Sequence, residues 1–143
     1  MKELTALLLC ILGIFFYMNV IRKKLYLDKV KASNGKEYLV RNLPDKSEAA
    51  NKLGSISDSL KSLVDSLSTS DSEKGEYIKV LQESFNPEYI TENIPGSIYV
   101  AYSVNKGEEL SLCIRENGSE KFIDNNTIIF VAIHELSHIM TPE

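Results

Sequence analysis

The chain has 143 residues, of which 43% are hydrophobic and 25% charged, and its formal net charge is −4. This length leaves room for one globular domain and excludes a second large one. Residues 1–24 contain four basic residues and one acidic residue, a net charge of +3, so residues 25–143 carry −7. Because this acidic part would repel phosphate, we expect no general binding of nucleic acid.

The first predicted element is a run of eighteen uncharged residues, from Leu4 to Ile21. As a helix rising about 1.5 Å per residue it would be about 27 Å long, close to the hydrocarbon thickness of a bilayer. A cleaved signal peptide has a shorter apolar region that ends in small residues, whereas this run ends in bulky side chains. We therefore predict an uncleaved membrane anchor, with a signal peptide and a buried core helix as alternatives. The predicted anchor side chains are Leu4, Leu8, Ile11, Ile14, Phe15, Phe16 and Ile21.

The charges beside this run predict its orientation. Before it only Lys2 is basic, and Glu3 offsets that charge, whereas Arg22, Lys23 and Lys24 follow it directly. The positive-inside rule then predicts a single-pass membrane protein whose C-terminal domain lies on the cytoplasmic side. The two cysteines agree with a reducing compartment, because one lies in the apolar run and the other far along the chain, which leaves no plausible disulfide pair.

Residues 1–24 are thus assigned to the anchor and its basic flank, residues 25–36 to a polar stalk, and residues 37–143 to the domain. The domain begins with a short strand candidate, Glu37 to Leu43. Asp45 can cap the next helix, predicted from Lys46 to Ser68. This helix carries one apolar stripe, which we expect to pack on the domain's own sheet; a coiled-coil seam is the alternative, but the stripe covers barely three heptads. Its members are Ala49, Leu53, Ile56, Leu60, Leu63, Val64 and Leu67.

A shorter helix is predicted from Glu76 to Phe85. The alternation of apolar and polar residues then predicts a β-hairpin from Ser97 to Arg115, followed by a short strand at Lys121 to Ile123. Tyr99 and Tyr102 are expected on opposite faces of the first hairpin strand, where packing is the favoured interpretation. These elements predict an α+β domain with a small antiparallel sheet and amphipathic helices.

The last predicted helix runs from Asn126 to Met140, and its apolar residues surround it, so we expect it to be buried. It contains the motif H-E-x-x-H, formed by His134, Glu135 and His138. Residues at i and i+4 share a helical face, so both imidazoles can reach one Zn²⁺. Glu135 lies beside the first histidine, where it can take a proton from water. The motif therefore predicts a zinc site with a catalytic glutamate; a helix with incidental histidines is the alternative.

The segments LVRNLPDKSEAANKL, FNPEYITENIPGSIYVAYSVNKGEELSLCIRE and FIDNNTIIFVAIHELSHIMT resemble the WLM/SprT-like zinc metallopeptidases of large DNA viruses of eukaryotes. The resemblance runs from about Tyr38 to the last residue, and members of that family often carry one N-terminal membrane helix. It implies a zincin-like fold, with His134 and His138 as zinc ligands and Glu135 as general base and acid. It also implies that an edge strand, either Ser97 to Val104 or Leu110 to Arg115, binds an extended peptide by strand addition.

Such families use a third protein ligand after the motif helix, but the chain has only two histidines. Glu143 and Asp124 are weak candidates for that ligand, so we expect it beyond residue 143, in a domain that is incomplete at its C-terminus; a relative without metal is the alternative. Two functions follow as hypotheses. One is a membrane-anchored zinc peptidase acting on a peptide or protein substrate, and the other is a tethered component that links a viral internal membrane or virion to capsid or scaffold proteins.

Overall fold

The computed structural model describes residues 1–70 and 73–141, which form four helices and one five-stranded sheet. The helices are α1 (Lys2–Tyr26), α2 (Lys46–Ser66), α3 (Gly75–Ser84) and α4 (Asn125–Met140). The strands are β1 (Leu27–Lys31), β2 (Glu37–Arg41), β3 (Ile90–Glu92), β4 (Ala101–Val104) and β5 (Glu109–Leu112). The α+β class predicted from the sequence is confirmed.

The sheet has the strand order β1-β2-β3-β5-β4. The outer pairs, β1 with β2 and β4 with β5, are antiparallel, whereas β3 pairs in parallel with both β2 and β5. The sheet is therefore mixed, and the predicted antiparallel sheet was wrong. The prediction failed at β3, because its three residues are too few to show an alternating pattern.

The two faces of the sheet have different neighbours. Tyr38, Val40, Leu110 and Leu112 are buried in the core beneath α2 and α4. Side chains alternate along a strand, so the residues next to these, such as Glu109 beside Leu110, point to the opposite face. On that face Lys23, in the last turn of α1, donates a hydrogen bond of 2.9 Å to Glu109. The end of α1 and the helical layer thus lie on opposite sides of the sheet.

The segment assigned to a polar stalk is part of the sheet. Residues 27–31 form β1, which pairs along its whole length with β2, and Leu27 and Ala32 are buried. The stalk prediction was therefore wrong for these residues. Their polar composition reflects an edge strand, in which charged side chains such as Lys29 and Lys31 alternate with half-buried ones and discourage pairing with other chains.

The other elements follow the predicted pattern closely. The stripe of α2 packs on β2 and β1, as expected, with only Leu63 and Leu67 partly exposed. The hairpin is present, but its first strand begins at Ala101 rather than at Ser97. The short strand predicted at 121–123 is reduced to a single bridge between Phe122 and Arg115.

Helix α1 is long and apolar enough to cross a membrane. It is 25 residues long, and none of its side chains is buried against the domain. All seven predicted anchor side chains lie on its surface; six of them are exposed, with 55% or more of their surface accessible, whereas Ile21 is half-buried. This exposure fits a helix that projects from the domain and differs from that of a core helix, whose apolar side chains would be covered.

Candidate metal centre

Helix α4 begins at a well-formed N-cap. The Asp124 carboxylate accepts a hydrogen bond of 3.1 Å from the backbone N–H of Thr127 and a second one from the Thr127 hydroxyl. These hydrogen bonds from Thr127 hold the pKa of Asp124 below its usual value. Lys52 on α2 donates to the side-chain oxygen of Asn125 at 2.5 Å, so the start of α4 is attached to α2.

The helix is buried on one side only. Ile128, Ala132, Leu136 and Ile139 belong to the core. The opposite side is exposed, and Phe130 keeps 74% of its surface in contact with solvent. The prediction that α4 is buried all round was therefore wrong. Apolar residues surround it in sequence, but α2, α3 and the sheet cover only the face that they can reach.

The two histidines lie together on the exposed side. The Nε2 atoms of His134 and His138 are 3.1 Å apart, and the two rings meet edge to face with centroids separated by 4.8 Å. Two nitrogens bound to one tetrahedral Zn²⁺ at about 2.0–2.1 Å would lie about 3.3 Å apart. The spacing thus suits a shared cation, and it also suits a hydrogen bond between one protonated and one free ring nitrogen.

Glu135 follows His134 on the border between the exposed and buried sides, where it is half-buried. No hydrogen bond or ion pair occupies its carboxylate within the described part of the chain. The carboxylate reaches solvent, because no buried side-chain oxygen among the described residues lacks a hydrogen-bond partner. It is free to accept a proton or a hydrogen bond from a molecule bound beside the histidines.

A third metal ligand is not found near this pair. Within residues 1–70 and 73–141, no group of three histidine, cysteine, aspartate or glutamate side chains is placed to hold a metal. Asp124, a weak candidate for this ligand, caps the far end of α4. Ten residues of helix, about 15 Å, separate it from His134, so it cannot reach the pair. Glu143 lies outside the described residues.

Two segments, Ser97 to Val104 and Leu110 to Arg115, are candidates for the strand that binds peptide, and the order of the strands in the sheet distinguishes between them. β5 lies between β3 and β4, whereas β4 is the outermost strand on that side of the sheet and packs against α4. Of these two strands, only β4 therefore has an edge that no other described strand occupies and that could accept an added strand. Tyr99 precedes this strand, and its ring contacts that of Tyr102 edge to face at 6.1 Å. The prediction that the two tyrosines lie on opposite faces was wrong, because the chain has not yet entered the strand at Tyr99.

Sequence reasoning missed a buried ionic cluster, here called the Arg115 cluster and defined as Arg41, Asp45, Glu92 and Arg115. Arg115 and Glu92 are almost fully buried, and the Arg115 Nε donates to Glu92 at 2.6 Å. The guanidinium also binds both oxygens of Asp45, at 2.7 and 2.9 Å. Glu92 accepts a further bond of 2.8 Å from the backbone N–H of Arg41. The cluster carries two positive and two negative charges, so it is balanced within itself.

The Arg115 cluster also explains why Asp45 does not cap α2 through its side chain. Asp45 occupies the N-cap position, but it makes no side-chain cap hydrogen bond, because its carboxylate is bound to Arg115. The hydrogen bond from Arg115 lowers the pKa of Asp45, although burial opposes the shift. Burial alone would lower the pKa of Arg115, but the bonds to Asp45 and Glu92 raise it above its usual value. One signal in the sequence marked this residue: an arginine that ends an otherwise apolar strand pattern needs a buried partner.

Two viral proteins are similar to this chain. "Uncharacterized protein R325" of Acanthamoeba polyphaga mimivirus is 36% identical over 143 residues, which covers 96% of this chain and 72% of that protein. "Uncharacterized protein 042R" of Invertebrate iridescent virus 3 is 40% identical over 40 residues, or 28% of this chain and 24% of that protein. No family model matches the chain. No solved structure matches it significantly.

Proposed function

This chain belongs to the same protein family as protein R325 of Acanthamoeba polyphaga mimivirus, and we propose that it is a membrane-anchored zinc metallopeptidase. One observation carries the proposal: the Nε2 atoms of His134 and His138 lie 3.1 Å apart on an exposed helix face, with Glu135 beside them. In this proposal α1 is the anchor and the α+β domain is zincin-like, in agreement with the resemblance of the sequence to WLM/SprT-like peptidases.

The described residues fit part of a zinc site. Two imidazoles at the required spacing supply two ligands, and catalytic zinc sites use three protein ligands, so one more group has to join them. Zn²⁺, when bound, supplies the positive charge that polarises a peptide carbonyl and makes water more acidic. Glu135 then takes a proton from the attacking water and delivers it to the leaving amine. The free edge of β4 would hold the substrate as an added strand.

The experiment is elemental analysis of zinc in the full chain, purified in mild detergent. We expect one zinc per chain in the wild type and a loss of most of it in His134→Ala and His138→Ala. Ser137→Ala is the matched control, because Ser137 lies on the same exposed surface and, among the described residues, its hydroxyl bonds only to the carbonyl oxygen of His134, at 2.5 Å. Zinc content that is negligible in the wild type, or equal in all four proteins, would contradict the proposal.

A second candidate function is a tethered structural component that links a viral membrane to capsid or scaffold proteins. It is favoured by the absence of a third ligand among residues 1–70 and 73–141 and by the viral source of the relatives. A fold does not by itself establish an activity. A scaffold component is expected in virions in many copies and without zinc, so quantitative mass spectrometry of virions beside the zinc measurement separates the two functions.

A further inference from the structure

The loop between β3 and β4 exposes three consecutive large apolar side chains. Ile98, Tyr99 and Val100, here called the 98–100 patch, are 86%, 61% and 58% exposed. Contiguous apolar surface of this kind is rare on a soluble protein unless it meets a partner or a membrane. Its position relative to α1 indicates which of these it meets.

The patch is next to the end of the predicted anchor. Arg22 of α1 lines a shallow cavity of about 400 Å³ together with Ile94, Ile98, Tyr99 and Tyr102. The apolar run of α1 ends at Ile21, so Arg22 marks the level at which the helix would leave the hydrocarbon. Lys23, one residue further, is hydrogen-bonded to Glu109 at 2.9 Å, which holds this end of α1 against the sheet. The patch therefore lies close to the level of the membrane interface.

Hydrogen bonds to its backbone hold this loop in place. Its apolar side chains are therefore exposed on a loop that is itself well anchored. The Asn93 side chain donates a hydrogen bond of 2.8 Å to the carbonyl oxygen of Tyr99. The backbone N–H of Cys113 donates one of 2.8 Å to the carbonyl oxygen of Val100. The ring of Tyr99 leans on that of Tyr102. Because the backbone of this loop is already ordered, covering its side chains costs little additional backbone entropy.

The composition of this region matches that of a lipid interface. Tyrosine is enriched where hydrocarbon meets headgroups, because its ring is apolar and its hydroxyl is polar. Arg22, which lines the same cavity, supplies positive charge beside the patch, and Lys24 follows it closely in the sequence, whereas the charge of Lys23 is offset by Glu109. Anionic headgroups attract such basic side chains. A bilayer surface can contact the apolar patch and the basic side chains at the same time, because a membrane that α1 spans would already lie next to them.

We propose that the 98–100 patch is a second membrane contact, with Ile98, Tyr99 and Val100 seated in the interfacial layer of the bilayer that α1 spans. The contact holds the domain against the membrane in one orientation. It rests on the membrane anchoring that forms part of the proposed function, and it is independent of zinc and of peptidase activity.

Tryptophan fluorescence provides the test, because the chain contains no tryptophan. Full-length Ile98→Trp is reconstituted in vesicles of phosphatidylcholine and phosphatidylserine, with and without lipid brominated near the headgroup end of its chains. Tyr99→Trp is a second probe in case one variant folds poorly. Val80→Trp is the matched control, because Val80 is an exposed apolar residue on α3, which packs against α4 and α2 in the helical layer.

We expect both loop probes to emit at shorter wavelength in vesicles than in detergent-free buffer with denaturant. Brominated lipid should quench the fluorescence of both loop probes several-fold and leave that of Val80→Trp unchanged. Loop probes that brominated lipid leaves unquenched, in protein that resists carbonate extraction, overturn the contact but leave the anchor intact. A blue-shifted and unquenched loop probe means that protein, such as a second copy of this chain, covers the patch, and this too overturns the proposal. Release of the protein by carbonate overturns the anchor and the contact together.

Discussion

Arg115 and Asp45, seventy residues apart in the sequence, are joined by a two-pronged ion pair in which both guanidinium NH groups reach the carboxylate, at 2.7 and 2.9 Å. The pair connects the N-cap residue of α2 to the segment that leads from β5 into α4. On its other side Arg115 is bonded to the buried Glu92 at the end of β3. The ring of Phe122 lies 4.5 Å from the guanidinium carbon and closes the cluster from a further side.

Removal of the arginine should destabilise the domain strongly. Arg115→Met leaves Glu92 as a buried charge whose principal partner is lost, and we expect the free energy of unfolding to fall by about 3–5 kcal/mol. Lys61→Met is the control, because Lys61 pairs with Asp65 on the exposed face of α2 and should change that energy by about 0.5 kcal/mol or less. Urea unfolding of the full chain in detergent, followed by circular dichroism, measures both. Equal losses in the two variants would show that the cluster does not stabilise the fold.

The same pair should make stability depend on pH in the acid range. The pKa of Asp45 is lower in the folded chain than its usual value, first because of the hydrogen bond from Arg115. The unfolded chain therefore takes up a proton at Asp45 before the folded chain does, and the stabilisation present above the usual pKa, near 4, is lost as the pH falls through the lowered one.

We expect the free energy of unfolding of the wild type to fall more steeply between about pH 5 and pH 3 than that of Asp45→Asn, which has no such proton to bind. Asp65→Asn, at an exposed position, should keep the wild-type slope. Urea unfolding at a series of pH values compares the three slopes. A wild-type slope in Asp45→Asn would count against the pair as the source of the acid sensitivity.

The apolar stripe of α2 provides a test of packing. Leu60 is fully buried, whereas Leu63, less than one turn further, is 38% exposed. Leu60→Ala should lower the free energy of unfolding by about 2–5 kcal/mol, because it removes buried methyl groups and leaves a cavity. Leu63→Ala should cost about 1 kcal/mol or less. If the stripe instead formed a coiled-coil seam with another chain, Leu63→Ala would alter the oligomeric state seen by light scattering.

The catalytic role proposed for Glu135 can be tested independently of the metal-binding role proposed for the histidines. Glu135→Gln keeps the shape of the side chain but cannot accept the proton, so we expect zinc content to be unchanged and cleavage of a quenched-fluorescent peptide library to fall by a factor of about 10²–10⁴. Ser137→Ala should cleave at the wild-type rate. Full activity of Glu135→Gln would exclude this carboxylate as the general base.

The membrane insertion proposed for α1 should be weakened by a single charge. Leu12 lies near the middle of the apolar run, where an arginine should raise the cost of insertion by about 2.5–3.5 kcal/mol. We expect Leu12→Arg to shift protein from the carbonate-resistant membrane fraction to the soluble fraction. Leu25→Arg, which adds the same charge beside Lys24 and outside the run, should stay with the membrane. Loss of both variants from the membrane fraction would point to folding defects rather than insertion.

Local patterns predicted the helices well. The spacing of apolar residues placed α2, α3 and α4 within two residues of their observed ends, because a helix is built from contacts three and four residues apart. The same reasoning located His134 and His138 on one face. It could not tell which face of α4 is covered, because coverage depends on where other elements end up.

By itself the sequence determined the elements whose cause is local: the apolar length of α1, the amphipathic stripe of α2, the hairpin of β4 and β5, and the spacing of the motif on α4. Only the tertiary structure decided the parallel pairing of β3, the incorporation of β1 into the sheet, the exposure of the histidine pair and the partners of Arg115. Glu92 and Asp45 stand 23 and 70 residues from that arginine. A buried charge requires a partner wherever the fold can bring one, and that requirement specifies no distance along the chain.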